Sequence, residues 1–299
     1  MATADAPRSF RWQSVSRVIV AMSGTQRSGP LLRASIAAAR ALDAELHGLY
    51  VRDTAIGDLA GLPNAAILGF GGREPQPLSR ADLDRAWARE EDRVQATLSA
   101  TAAGAVRKWS FESASGQLDR VLADRLAGSP LVAIEAGETW AVERAWTLID
   151  RLSTAAGALL VVPPGARDGA RERTRDGGQG SVLALYDGAE NGAEIIALAD
   201  RIAVGGNRPL TVLAVSTPAH AKHIADRIHQ DPHVHRHRVL SWPDWRATDL
   251  AEPIAHVAPS IVVASLASRV FAERTTAMRF LRRATAPLLL IPPVKPEDA

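Results

Sequence analysis

An apolar run closed by a proline pair occurs twice in this chain, and no other feature restricts its fold so much. Gly157-Ala158-Leu159-Leu160-Val161-Val162-Pro163-Pro164 returns about 130 positions later as Ala286-Pro287-Leu288-Leu289-Leu290-Ile291-Pro292-Pro293. Four β-favouring apolar residues in succession suit a strand covered on both faces, as in a parallel α/β sheet. Proline donates no ladder hydrogen bond, so each strand must end at its pair. The period is too long for a solenoid and implies two copies of a whole domain, both closing on the same kind of strand.

The order of elements around the two copies fits that reading. Residues 1–16 read as a leader; they hold Arg8 and Arg11 but no apolar core of a secretory signal. Arg17-Val18-Ile19-Val20-Ala21-Met22 reads as a buried strand, and Pro30 suits the first turn of the helix that follows. A second strand at 45–51 completes a βαβ unit, whose crossover should be right-handed. The loop at 52–78 is long, and Ile56, Leu59, Leu62, Ile67, Leu68 and Phe70 make it too apolar for a solvated lid. It is expected to pack over the strand ends or onto a partner. Ser79 with Asp82 has capping-box spacing before a helix carrying Leu83, Trp87, Val94 and Leu98. Residues 106–113 alternate and read as a strand near the sheet edge. Helices are expected at 117–127 and 140–155, and strands at 131–134 and 159–162.

Residues 165–180 contain no large apolar side chain and read as a flexible linker. The pattern then restarts. Strands are expected at 182–186, 210–215, 233–240 and 261–264, and helices after Gly192, at 218–230, across most of 245–257 and at 271–284. The division is therefore leader 1–16, first domain 17–164, linker 165–180, second domain 181–293 and tail 294–299.

Two βαβ-based halves in this order, each closing on an apolar strand and Pro-Pro, resemble a tandem universal stress protein. The residues that carry the resemblance best are Val182-Leu183-Ala184-Leu185-Tyr186-Asp187-Gly188-Ala189-Glu190-Asn191-Gly192, and Ile261-Val262-Val263-Ala264-Ser265 followed by a helix and Ala286-Pro287-Leu288-Leu289-Leu290-Ile291-Pro292-Pro293, with Leu46-His47-Gly48-Leu49-Tyr50-Val51 in the first half. The resemblance implies two doubly wound α/β domains, each a five-stranded parallel sheet in order 3-2-1-4-5 with helices on both faces. It also implies that the domains pair within the chain through their fifth strands. Nucleotide-binding members of that family have an Asp after the first strand and a glycine-patterned loop after the fourth. Such glycines let backbone N–H groups approach phosphate. The first half has Ser23 at the Asp position and only Gly137 in its loop, whereas the second keeps Asp187 but has no glycine in Ser265-Leu266-Ala267-Ser268-Arg269. No cofactor is expected, and any ATP should bind weakly in the second domain. The resemblance places such a site at Asp187, Gly188, Val215, Ser265, Arg269, Arg274, Thr275 and Thr276, with the arginines and threonines taking the anion.

Other chemistry is sparse. Gly24-Thr25-Gln26-Arg27-Ser28-Gly29-Pro30-Leu31 lacks the Lys-Ser/Thr of a phosphate-binding P-loop. His220, His223, His229, His233, His235 and His237 cluster, and imidazoles at period two on a strand could take zinc, copper or nickel. Adventitious binding is the expectation, with no physiological metal. No hydrolase elbow or metalloprotease helix occurs, and a non-catalytic protein is expected. A net charge of +2 gives no electrostatic case for nucleic acid or membrane. The absence of cysteine fits a cytoplasmic protein. The leading expectation is a regulatory stress-response module, with a homodimer or protein partner as its target. The alternatives are a sensor of nucleotide or another small ligand, and a metal-responsive module.

Overall fold

The computed structural model describes residues 13, 15–22, 28–54, 57–58, 66–67, 76–77, 79–125, 131–136, 149, 157–163, 166, 180–188, 191–230, 237–242 and 250–292. The first block runs β1 (Arg17–Met22), α1 (Ser28–Leu42), β2 (Glu45–Asp53), β3 (Ala66–Ile67), β4 (Gln76–Pro77), α2 (Arg80–Ala102), β5 (Trp109–Gly116), α3 (Leu118–Ala123), β6 (Leu131–Glu135) and β7 (Ala158–Val162). The second runs β8 (Val182–Tyr186), α4 (Gly192–Gly205), β9 (Leu210–Ala214), α5 (Pro218–Gln230), β10 (His237–Ser241), α6 (Ala251–Val257), β11 (Ile261–Ser265), α7 (Arg269–Ala272), α8 (Arg274–Arg283) and β12 (Leu288–Ile291).

Ten strands form one sheet in the order β10-β9-β8-β11-β12-β7-β6-β1-β2-β5. All neighbours are parallel except β12 and β7, which run antiparallel with Leu288 opposite Val161, Leu289 opposite Leu160 and Leu290 opposite Leu159. The repeated stretch thus pairs with itself at the centre of the sheet. From that seam outward, the strands on either side follow one order.

Alternation explains why the central strands are apolar throughout. Val18, Val20 and Met22 of β1 belong to the core on one face, and Ile19 and Ala21 to the core on the other. Leu289 and Ile291 of β12 are divided from Leu288 and Leu290 in the same way. A strand covered twice can leave no polar side to water. The result is a mixed α/β architecture with a parallel-dominated sheet between two helical layers.

Helices from both blocks also meet across the seam. Arg201 Nε on α4 donates to the carbonyl of Ala41, in the last turn of α1, at 2.8 Å. A Cβ added at Gly205 would stand 3.2 Å from Ala41 Cα, so glycine permits this approach.

Several local expectations shift for identifiable reasons. The strand read at 106–113 lies at Trp109–Gly116, because the amides of Ala105 and Val106 still bond to Ala102 O and finish the α2 turn. The helix read at 271–284 is broken at Glu273, whose backbone is extended (φ −114°, ψ 122°), into α7 and α8. Val15, assigned to the leader, is buried in the core. Ser79 caps α2 by accepting from the Asp82 amide at 3.1 Å. In the long loop, a Cβ at Gly57 would lie 3.2 Å from the Trp87 ring, so at that point the loop rests on α2. Most of that loop, nearly all of the 165–180 linker, His233 and His235 lie outside the described residues.

Candidate functional site

β8 and β11 are neighbours, yet β8 leads on toward β9 on one side and β11 toward β12 on the other. In open α/β sheets a crevice forms outside the carboxyl ends of strands where the order reverses, and ligands use it. Asp187 and Gly188 follow β8, and Ser265 ends β11. Val215 follows β9, half-buried, and its amide donates to Tyr186 O at 2.8 Å. Gly188 has φ +86° and open space where a Cβ would stand, so it turns the chain away from the strand without meeting another group.

The loop after β11 satisfies its own backbone. Leu266 N–H donates to Ile291 O at 2.8 Å, and Ser268 N–H to Ser265 O at 3.1 Å. Ala267 N–H donates to Ser265 Oγ at 3.1 Å, and Val270 N–H to Ser268 Oγ at 3.2 Å. Phe271 N–H reaches Ser268 O at 2.8 Å. Arg269 N–H donates to Asp187 Oδ2 at 2.8 Å. Every amide from 266 to 271 therefore has an acceptor within the chain. A phosphate cradle needs such donors pointing at the ligand. Here serine hydroxyls and an aspartate carboxylate occupy those positions.

The structure brings Asp187, Ser265 and Arg269 together around this loop, with Ser265 buried and Arg269 exposed. Arg274, Thr275 and Thr276 lie on the first turn of the next helix, α8. Thr276 Oγ1 donates to Glu273 Oε2 at 2.8 Å there, while Arg274 and Thr275 are exposed. Sequence reasoning missed Ser268, whose hydroxyl caps α7, although Ser directly before a helix start is a common capping signal. It gave no role to Asn191, which is buried at the start of α4. Its Nδ2 donates to Pro292 O at 3.2 Å, tying the turn after β8 to the end of β12.

Most of the chain can be superposed on solved structures at low identity. A universal stress protein from Archaeoglobus fulgidus matches with TM-score 0.64 and 11% identity, over 96% of this chain and 100% of that one. The fold is that of the universal stress proteins. A candidate universal stress protein from Pseudomonas aeruginosa matches with TM-score 0.56 and 15% identity, covering 94% of this chain and 95% of that one. A functionally unknown protein from Pseudomonas aeruginosa gives TM-score 0.54 and 15% identity, with 94% of each chain covered. No family model matches the sequence, and no curated protein does.

Ser23 and Gly137 lie outside the described residues. Ala136 N–H donates to Val162 O at 2.8 Å, as Leu266 N–H does to Ile291 O, so both loops leave the sheet alike.

A polar network without a counterpart in the sequence reading lies on β2 and β5. His47 Nδ1 is 2.9 Å from Ser110 Oγ, and its Nε2 is 3.4 Å from Glu112 Oε2. Ser110 Oγ donates to Glu45 Oε1 at 2.9 Å, and Arg125 pairs with Glu112. Burial pushes the His47 imidazole below its usual range, and the Arg17 charge adds to this against the pull of Glu112 and Glu45. Burial pushes the Glu45 carboxyl up, but Ser110, Lys108 and Arg17 together hold it below the usual range. The hydrogen bond from Arg125 holds Glu112 down, against its partial burial. The parallel register, with His47 opposite Ser110 and Leu49 opposite Glu112, assembles this group from positions over 60 residues apart.

Among the described residues, no group of three or more His, Asp or Glu is arranged to hold a metal ion. No described helix is long and apolar enough to cross a membrane.

Proposed function

We propose that this protein is a non-catalytic, cytoplasmic stress-response or regulatory module built from two tandem universal-stress-type domains. The domains pair within the chain along β7 and β12. The crevice at Asp187, Gly188, Val215, Ser265 and Arg269 takes adenine nucleotide weakly or not at all. One observation carries this reading: all six amides of the 266–271 loop already have acceptors, and one of these acceptors is the Asp187 carboxylate. An incoming phosphate would have to displace those bonds and approach a carboxylate. Any phosphate contact would fall to Arg269, Arg274 and Thr275, whose side chains lose entropy when they are ordered.

Calorimetry of the full chain with ATP tests the proposal. The expected result is no binding, or an affinity of about micromolar or weaker. Tight binding by the wild type would overturn it.

The convergence of Asp187 and Ser265 at the switch point favours a second reading, a sensor for another small ligand. Mass spectrometry of molecules released from the purified protein distinguishes it, since a pure interaction module releases none.

A further inference from the structure

β5 ends the sheet beside β2, and the two strands carry a row of polar side chains in which the protons can be counted. Glu45 Oε2 stands 3.6 Å from Arg17 and 3.3 Å from Lys108, which match its charge. Its Oε1 accepts from Ser110 Oγ at 2.9 Å. Ser110 Oγ is in turn 2.9 Å from His47 Nδ1. On the far side of the ring, Nε2 lies 3.4 Å from Glu112 Oε2, while Arg125 Nε donates to Glu112 Oε1 at 3.2 Å. His47 and Glu112 are both half-buried.

Each contact in this row, from Glu45 to Ser110, from Ser110 to His47 and from His47 to Glu112, needs a proton between its atoms. An ionised carboxylate supplies none, a serine hydroxyl one and a neutral imidazole one. Both carboxyls are held below their usual range, so at neutral pH both are ionised. The available protons are then one fewer than the contacts. Glu45 Oε1 takes the serine proton, so Nδ1–H must donate to Oγ, and a bare Nε2 faces Glu112 across the longest of the gaps. We infer that Ser110 holds His47 as its Nδ1–H tautomer, and that Nε2 with Glu112 Oε2 forms a proton-binding site whose filling completes the row. The imidazolium so formed donates from both nitrogens. Glu112, on the edge strand, is then tied to β2 by its side chain as well as to Arg125 beyond α3. The charges around the ring, among the described residues, are Arg17 on β1, Glu45 on β2, Lys108 and Glu112 at β5, and Arg125, with Asp124 beside it. Burial first, and then Arg17, oppose the second proton, so the site is empty at neutral pH and fills on acidification.

The test is long-range proton–nitrogen correlation spectroscopy of the full chain, isotopically labelled at the histidine nitrogens, since a protonated ring nitrogen and a bare one resonate far apart. His47→Gln identifies the His47 signals by their loss. The expected wild-type result at mildly alkaline pH is a protonated Nδ1 and a bare Nε2, with Nε2 gaining its proton on acidification. In Ser110→Ala, Nδ1 has no hydroxyl to serve, and the ring should change to the Nε2–H tautomer and donate to Glu112. Glu112→Gln removes the charge that faces Nε2 and should lower the proton affinity of His47 about tenfold. Thermal midpoints report whether each variant is folded, and the wild-type spectrum reads the tautomer without any variant. Nε2–H in the wild type, Nδ1–H retained in folded Ser110→Ala, or an unchanged titration in folded Glu112→Gln would each overturn the assignment.

Discussion

Asp187→Ala removes the acceptor for the Arg269 amide, a contact of 2.8 Å that holds the start of α7 against the end of β8. A hydrogen bond to a charged group contributes about 1.5–3 kcal/mol when it is well shielded. Asp187 is half-buried, and water replaces part of that interaction, which brings the expected loss to about 1–2 kcal/mol, the range of a lost helix cap. For a chain of this size each kcal/mol lowers the melting midpoint by roughly 2–4 °C, so Asp187→Ala should melt about 2–8 °C below the wild type. Asp187→Asn keeps an uncharged acceptor and should lose about half as much. Hydrogen exchange localises the effect. The Arg269 amide should exchange faster in Asp187→Ala, while Leu266, bonded to Ile291 O, should keep its protection. Two results together would refute the reasoning: an unchanged midpoint, and unchanged exchange across residues 266–271. They would mean that Asp187 does not anchor the loop and that its amide donors are available to an anion.

The His47 network gives a pH dependence whose sign follows from its lowered pKa. The unfolded chain takes up the proton first, so stability is full above about 6.5, the ordinary histidine value, and falls as pH drops below it toward the lower folded value. Denaturation at stepped pH should show this slope in the wild type and a flatter one in His47→Gln; equal slopes would remove His47 as the cause. Gly205→Leu should destabilise by about 1–3 kcal/mol through overpacking, because the nearest atom is the Ala41 backbone at 3.2 Å. A midpoint at or above wild type would show that α1 and α4 do not press together there. Trypsin should cut first within residues 165–180, which carry several arginines and no large apolar anchor. The two pieces should stay together on gel filtration, held by β7 and β12; early cuts elsewhere, or separation, would contradict this.

Local chemistry was enough to reveal the ten strands of the main sheet and most of the described helices, but not the short pair β3 and β4 within the stretch read as a loop. Runs such as Val18 to Met22 and Leu288 to Ile291 must be buried on both faces, and Pro163 and Pro292 must end their strands. The turn at Asp187-Gly188 and the cap at Ser79 are likewise written in adjacent residues, because turn and cap hydrogen bonds span only a few positions. What the tertiary structure alone decided depends on register and on distant partners. The antiparallel pairing of β7 with β12, the passage of Arg201 to Ala41, and the meeting of His47 with Ser110 and Glu112 join positions far apart in the chain. The candidate site shows the division most plainly. The sequence displayed Asp187 as a carboxylate at the end of a strand, ready for a ligand. The neighbouring strand then brought the Arg269 amide to 2.8 Å from it. A side chain's acceptor capacity is a local property, but whether the chain itself fills that capacity is settled only when strands from different parts of the sequence lie side by side.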